Sequence, residues 1–431
     1  MTHRAPFVDR LAYALATRRT FLSRHLPGAA LALGAWQTPA AREPVEARAL
    51  WVNRFEYSSR EDIQRIIRRA AETNFNIVYF QVRGAADALY RSELEPCAVG
   101  LCGRLGGEPP YDPLEVAVEE GERHGIEIHA WLNALSGWSS GSEESCERLT
   151  QPEGELPRHL LLEHPEWAMV DEDGNAMTCP NQVEYVYLSP AYRGVRKALA
   201  DVARDVVSRY PVRGVHLDRI RYPGREYSYD AESLRRFGRD PKEDPEAWDR
   251  FRRSLVNATV RETYEAMTSV DPTLSLSASV WPIYRDRWKW NASQGYSWYY
   301  QDPRAWAKGG YLDVAVPMTY DPITRRRCER ADWACLAEEH LIAYRERTDR
   351  HVYLGVNARN GGEEIVRQIE LGRELGAIGF AVYSFSQIDN RDLWSVLARG
   401  PFREPATVPP QPWKTPKPAI GDGTGGPIGG E

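Results

Sequence analysis

The chain has 431 residues, 42% of them hydrophobic and 27% charged, with a mean hydropathy of −0.54. That profile excludes a multi-pass membrane protein, a collagen-like fibre and a largely disordered chain. The formal charge is −6, and residues 1–41 hold five Arg against one Asp, so the remainder stands at −10 and a nucleic-acid partner is disfavoured.

The first 45 residues read as a leader. Thr17-Arg18-Arg19-Thr20-Phe21-Leu22 precedes an apolar stretch from Leu26 to Trp36, then Ala40 and Ala41 before Arg42. Basic region, apolar region and small-residue cleavage site in that order look like a twin-arginine export signal. The apolar stretch contains Pro27 and is well short of the ~20 residues a spanning helix needs. The expectation is an exported chain, periplasmic or extracellular, with no integral membrane span once mature.

From residue 46 to 400 short β-branched or apolar runs alternate with capped amphipathic stretches. The predicted strands are Ala49–Phe55, Ile77–Arg83, Glu127–Asn133, Gly214–Ile220, Leu274–Trp281, Val314–Tyr320, Val352–Asn357 and Gly379–Phe385. Ser59 with Asp62 marks a helix start before Ile63, Ile66, Ile67 and Ala70. Asp112-Pro113 and Ser189-Pro190 each read as an N-cap followed by proline, the second opening a helix with Val195, Leu199, Val202 and Val206 on one stripe. Eight β/α repeats favour a (β/α)8 TIM barrel with long βα loops. The long loops fall at 134–188 and 221–250, with a Trp/Tyr-rich excursion at 281–300. No glycine-rich phosphate loop follows a strand, and residues 401–431, dense in Pro and Gly, read as a flexible tail.

Six cysteines in an exported chain suggest disulfides. Cys97 and Cys102 are close in sequence, as are Cys328 and Cys335, leaving Cys146 to Cys179; this connectivity is favoured among the possible ones. No spacing is the tight pair of a zinc site. HExxH is absent and His124 with His129 is wrongly spaced for one helix face, so neither metal nor cofactor is expected.

Period two along the strands puts a polar set on the inward face: Asn53; Gln81 and Arg83; His129, Trp131 and Asn133; His216; Asp218; Ser277, Ser279 and Trp281; Tyr320; Asn357; Tyr383. Burying so many hydrogen-bonding groups is costly unless they meet one another or a polar ligand, and a hydroxyl-rich ligand would satisfy them. The tilt towards Trp (14) and Tyr (22) over Phe (10) suits such a ligand. Trp131, Trp138, Trp281, Trp288, Trp290, Trp298 and Tyr222 are candidate stacking platforms. Trp288 and Trp290 stand out because Arg285, Asp286, Arg287 and Lys289 make their segment too polar to bury.

Several segments resemble the glycosyl-hydrolase-like 10 family of bacterial proteins: Ala49-Leu50-Trp51-Val52, Phe75 to Arg83, Tyr90 with Ser92 and Pro96, Tyr111-Asp112-Pro113-Leu114, Ile128 to Asn133, Gly214 to Pro223, and Pro317-Met318-Thr319-Tyr320. The resemblance spans about residues 46–398. It implies a TIM barrel acting on O-glycosidic bonds of a polysaccharide, with peptidoglycan glycan among the plausible substrates. Such chemistry usually needs two carboxyl groups. The resemblance implies a catalytic carboxylate at Asp218, in Gly214-Val215-His216-Leu217-Asp218. Many relatives carry a second Asp directly after it; this chain has Arg219. Arg219 and Arg221 are cations that suit a carboxylate working as nucleophile or base. Asp321, just after the sixth strand, is the expected second carboxylate and proton donor, with Glu56, Asp87 and Asp389 as rivals. Asn53, Gln81, Arg83, His129, Trp131, Asn133, His216, Arg221, Tyr222, Trp281, Tyr320, Asn357 and Tyr383 are the expected substrate contacts. The competing expectation is a carbohydrate-binding barrel without turnover.

Overall fold

A computed structural model describes residues 43–139, 146–147, 158–180 and 184–414, apart from the side chains of residues 346 and 347. The expected leader, up to residue 42, lies outside the described residues. The strands in chain order are β1 Ala47–Val52, β2 Ile77–Arg83, β3 Glu127–Asn133, β4 Ser136–Ser139, β5 Tyr185–Tyr187, β6 Gly214–Asp218, β7 Ser275–Val280, β8 Val314–Pro317, β9 His351–Val352, β10 Leu354–Asn357 and β11 Gly379–Tyr383. β4 and β5 pair antiparallel in the loop region after β3. The others make one parallel sheet in the order β10-β11-β1-β2-β3-β6-β7-β8-β9. Its two ends are pieces of one strand interrupted at Tyr353, whose N–H donates to Ala315 O of β8 at 3.0 Å. The sheet thus curls into a nearly closed eight-position TIM barrel, and each predicted strand matches a barrel position.

The helices outside the barrel form where the sequence places apolar stripes behind capping residues. Ser59 accepts from the Asp62 N–H and starts helix Arg60–Glu72, which buries Ile63, Ile66, Ile67 and Ala70. Asp112 caps Pro113–His124 through the N–H groups of Leu114 and Glu115. The Ser189-Pro190 start is corrected: the helix runs Arg193–Arg209 with Tyr192 at its N-cap. The Ser189 hydroxyl instead accepts from the Ala191 N–H at 3.3 Å, closing a local turn that delays the helix.

The inward polar residues largely satisfy one another, not a ligand. His216 is the hub. Its Nε2 accepts from the Trp51 indole N–H at 3.0 Å and meets the Ser279 hydroxyl at 2.9 Å, while Nδ1 meets the Ser277 hydroxyl at 2.8 Å. The Tyr79 ring stacks on it at 3.9 Å. Burial pushes the imidazole well below its usual pKa, which keeps Nε2 an acceptor. The barrel is therefore filled, as closed eight-position barrels are.

The floor at the N-terminal ends of the strands is closed by chain expected to be flexible. Residues 401–414 pack: Phe402 is fully buried, and Thr407 O accepts from the Glu46 N–H at 2.9 Å. The Trp413 indole and Lys414 ammonium both reach Asp313, at 2.7 and 2.8 Å. Pro and Gly composition misled here because backbone pairing and a few anchors, not apolar content, hold the segment. The rest of the expected tail, from residue 415, lies outside the described residues.

Helix Trp333–Arg347 carries buried His340, whose Nε2–H donates to Pro282 O at 2.8 Å and so ties the loop after β7 to the helical layer. Burial lowers its pKa from 6.5 to about 4. Between those values the unfolded chain binds a proton that the folded chain refuses, so stability falls as pH drops from 6.5 towards 4. Half-buried His351, also lowered to about 4 by burial and by the Arg350 charge, acts in the same direction. His340→Gln keeps a donor for Pro282 and removes one titration. Urea midpoints compared at pH 4.5 and 7 should then differ less than in the parent chain; an unchanged difference would clear His340 of that role.

Candidate active site

At the C-terminal strand ends the Tyr320 and Tyr383 rings form an aromatic floor. Their centroids lie 5.5 Å apart at 28°, and both stand edge-on to Trp51 beneath, at 6.3 and 6.0 Å. Asp218, the last residue of β6, stands beside this floor with 14% of its side chain exposed. Burial first, and then the neighbouring Asp218 charge among others, raises the pKa of both phenols.

Directly after Asp218 the backbone turns through Arg219 at φ 52°, a left-handed conformation that costs a non-glycine residue about 1–2 kcal/mol. The turn brings the Arg219 N–H to 2.7 Å from Asp218 Oδ1. The Arg219 guanidinium reaches Glu184 at 2.5 Å and lies over the Tyr185 ring at 5.2 Å. Burial opposes the Arg219 charge, but Tyr187, Asp218, Glu184 and Tyr185 outweigh it and raise the pKa. One arginine thus links two carboxylates from different loops.

Arg221 flanks Asp218 on the other side. Its Nη1 lies 3.8 Å from Asp218 Oδ1 and, although buried, has no hydrogen-bond partner among the described residues. The guanidinium lies over Trp281 at 5.3 Å and Tyr299 at 5.8 Å. A buried guanidinium N–H left unpaired is unusual enough to need an account.

Farther out on the same rim, Trp288 and Trp290 stack at 4.3 Å, and the Trp290 indole donates to Cys328 O at 3.0 Å. That carbonyl belongs to the Cys328–Cys335 loop. All three expected disulfides form, including Cys97–Cys102 and Cys146–Cys179.

The expected substrate contacts divide by depth. Asn53, Trp281, Tyr320, Asn357 and Tyr383 are partly exposed at strand ends. His129, His216, Trp131, Asn133, Gln81, Arg83 and Tyr222 are buried. Several have internal partners: Arg83 pairs with Glu95 at 2.7 Å, Trp131 donates to Asn133 at 3.1 Å, and the Gln81 amide oxygen takes the Arg54 N–H at 2.9 Å. Period two assigns the inward face correctly, but depth within the barrel separates filling from lining. Trp138 is likewise buried, whereas Trp298 is partly exposed under Arg225 at 4.3 Å.

The candidate second carboxylates are distinct in setting. Burial pushes the Asp321 carboxyl up; the charges acting on it are Asp332 and Arg330, not Asp218. Its carbonyl takes the Gln368 amide at 3.0 Å. Glu56 accepts from the Asn53 N–H at 2.8 Å, the Ser384 hydroxyl at 2.6 Å and the Ser386 N–H at 2.8 Å, stapling the loops after β1 and β11. Asp389 takes the Trp394 indole at 2.9 Å. Asp87 lines a side pocket. Glu184, 59% exposed, went unnamed in the sequence because its loop position carries no strand-end signal. Tyr383 feels Glu56, Asp218 and Glu184 together. Among the described residues no group of three His, Cys, Asp or Glu is placed to hold a metal ion, and no helix is long and apolar enough to cross a membrane.

Comparisons with known proteins agree with this architecture. The sequence profile of the glycosyl hydrolase-like 10 family matches residues 46–370. Glycosyl hydrolase YngK of Bacillus subtilis is 26% identical over 86% of this chain and 75% of its own length. Glycosyl hydrolase DigH of Escherichia coli K12 is 26% identical over 58% of this chain, which spans about half (55%) of that relative. Among solved structures, the PgaB glycoside hydrolase domain from Bordetella bronchiseptica aligns with TM-score 0.56 at 15% identity, covering 82% of this chain and 99% of that one. The catalytic domain of a β-amylase from Paenibacillus polymyxa aligns with TM-score 0.55 at 12% identity, covering 81% and 95%. At such identities the structural likeness establishes the fold alone.

Proposed function

The chain belongs to the glycosyl hydrolase-like 10 family, and from that premise we propose that it is an exported glycoside hydrolase cleaving O-glycosidic bonds of a polysaccharide, peptidoglycan glycan among the substrates. The observation that carries the reading is the placing of Asp218: a partly open carboxylate on an aromatic floor, beside a buried arginine N–H with no partner among the described residues. Asp218 serves as nucleophile or general base. Arg219 and Arg221 flank it, and Trp281 and Tyr299 offer faces to a sugar ring. Export is supported by three disulfides and by the basic, apolar and small-residue order of the leader.

The proton donor is one of two carboxyls, each favoured by one observation. Asp321 is pushed towards the protonated form, as a donor requires. Glu184 is joined to Asp218 through Arg219. A donor matters for a sugar leaving group and little for a good aryl leaving group. Asp321→Asn should therefore slow release of reducing ends from polysaccharide by about 100-fold or more while sparing a dinitrophenyl glycoside. If Glu184→Gln gives that pattern and Asp321→Asn does not, the role passes to Glu184. If the parent chain releases no reducing ends from peptidoglycan glycan or any other polysaccharide tried, the hydrolase reading fails and a barrel that binds glycan without turnover replaces it.

A further inference from the structure

The loops after β7 and β8 carry a charge opposite to that of the rest of the molecule. Residues 285–290 and 325–330 hold seven cations against Asp286 and Glu329, a net +5 on a chain that is otherwise strongly acidic beyond residue 41. Arg285, Arg287 and Lys289 on the first loop, and Arg325 to Arg327 with Arg330 on the second, are all exposed. Among the described residues two of the seven are paired, Arg326 with Glu329 at 3.2 Å and Arg327 with Glu338 at 2.7 Å, and five are not.

The two loops are held together. The Trp290 indole donates to Cys328 O at 3.0 Å and joins them, while the Cys328–Cys335 disulfide ties the second loop to helix Trp333–Arg347. Trp288 braces Trp290 by stacking at 4.3 Å. Arg287 lies over the Trp288 ring at 5.5 Å and Arg285 over the Tyr296 ring at 3.8 Å. A guanidinium seated by its flat face keeps its N–H fork free at the edge. Lys289, Asn291 and Cys328 have φ of 62°, 54° and 61°, a left-handed conformation unfavourable to residues with a Cβ. Like charges set this close repel one another, and a strained junction that keeps them so points to an anionic ligand.

We propose that this patch docks a phosphodiester polymer and so holds the chain on a polyanionic matrix. Six of the seven cations are arginine, whose fork meets two phosphate oxygens at once and whose charge does not titrate. Three consecutive arginines, Arg325 to Arg327, call for charges set closely along a chain that can bend. A phosphodiester chain offers that; a stiff row of acidic sugar rings does not. A nucleic-acid duplex, charged along its whole length, would also meet the acidic body around the patch.

Synthetic poly(glycerol phosphate) titrated calorimetrically into the parent chain should bind, and its affinity should fall about 50-fold from 50 to 200 mM NaCl if about four phosphates are engaged. Arg285→Gln, Arg287→Gln and Arg325→Gln combined should weaken binding at the lower salt by at least about 30-fold and flatten the log–log salt slope by about 2. The same charge removed elsewhere, by Arg68→Gln, Arg91→Gln and Arg399→Gln at exposed positions outside these loops, should leave both nearly unchanged. Should the first triple variant melt early, Lys289→Glu alone is read in its place and should also weaken binding. No binding at the lower salt, an equal loss in the two triple variants, or polygalacturonate bound as tightly as poly(glycerol phosphate) overturns the proposal. So does tighter binding to phosphatidylglycerol vesicles, which would assign the patch to a membrane surface. This inference and the hydrolase reading fail separately, since docking is measured without turnover and hydrolysis without the polymer.

Discussion

Asp218→Asn should reduce hydrolysis of the best polysaccharide substrate by about 10²–10⁴-fold, with glycan affinity and unfolding temperature close to those of the parent chain. Asn keeps the shape and an oxygen acceptor for the Arg219 N–H, so the turn after β6 has no reason to relax. What it lacks is a carboxylate able to attack the anomeric carbon or take a proton from water. The loss should therefore fall on kcat, with KM little moved. A variant that keeps more than about a tenth of the parent kcat would remove Asp218 from the chemistry, whatever the family likeness. A variant that loses activity together with its folding transition would show a structural ion-pair member instead.

The second large effect is expected at the opposite end of the barrel. Asp313 is fully buried and receives the Lys414 ammonium at 2.8 Å, the Trp413 indole at 2.7 Å and the Leu276 N–H at 2.8 Å. Removing one partner of a buried ion pair typically costs about 3–5 kcal/mol when the other charge is left uncompensated; here Arg350, with its Nε 4.0 Å from Asp313 Oδ1, still faces the carboxylate, so the loss belongs at the lower end of that range. Lys414→Met should destabilise the chain by roughly that amount in urea unfolding. Asp313→Asn added to it should recover most of the loss, since the buried charge is then gone while the Trp413 and Leu276 donors still find an amide oxygen. A loss below about 1 kcal/mol, the scale of an exposed pair, would mean that the floor is wetter than its burial indicates.

The frame was legible because it is written in short-range chemistry. Alternation along Ile77–Arg83 and Glu127–Asn133 gives both strand limits, and Asp112-Pro113 gives a helix start, because each depends on neighbours a few residues away. Gly214 to Asp218 shows how far such reasoning reaches: parity places His216 and Asp218 on the same face, yet one fills the barrel and the other stands partly exposed at the strand end. Nothing in the sequence tells how high Trp51 rises inside, where its indole N–H meets the fully buried His216. Glu184 and Tyr185 reach Asp218 by way of Arg219 from a loop tens of residues upstream, a placement set by long-range packing. The segment around Trp413 was misread for the related reason that a few specific anchors outweighed its loose composition.

Among the described residues every covalent cross-link lies beyond the C-terminal end of a barrel strand, in the connection or in the first turns of a helix there, and none ties the staves to one another. The molecule divides its labour accordingly. The staves endure by close packing, whereas the brim keeps its contour by sulfur stitching. Insertions, deletions and new recognition chemistry can accumulate at the brim as long as each stitched patch remains closed, with the vessel beneath unaffected.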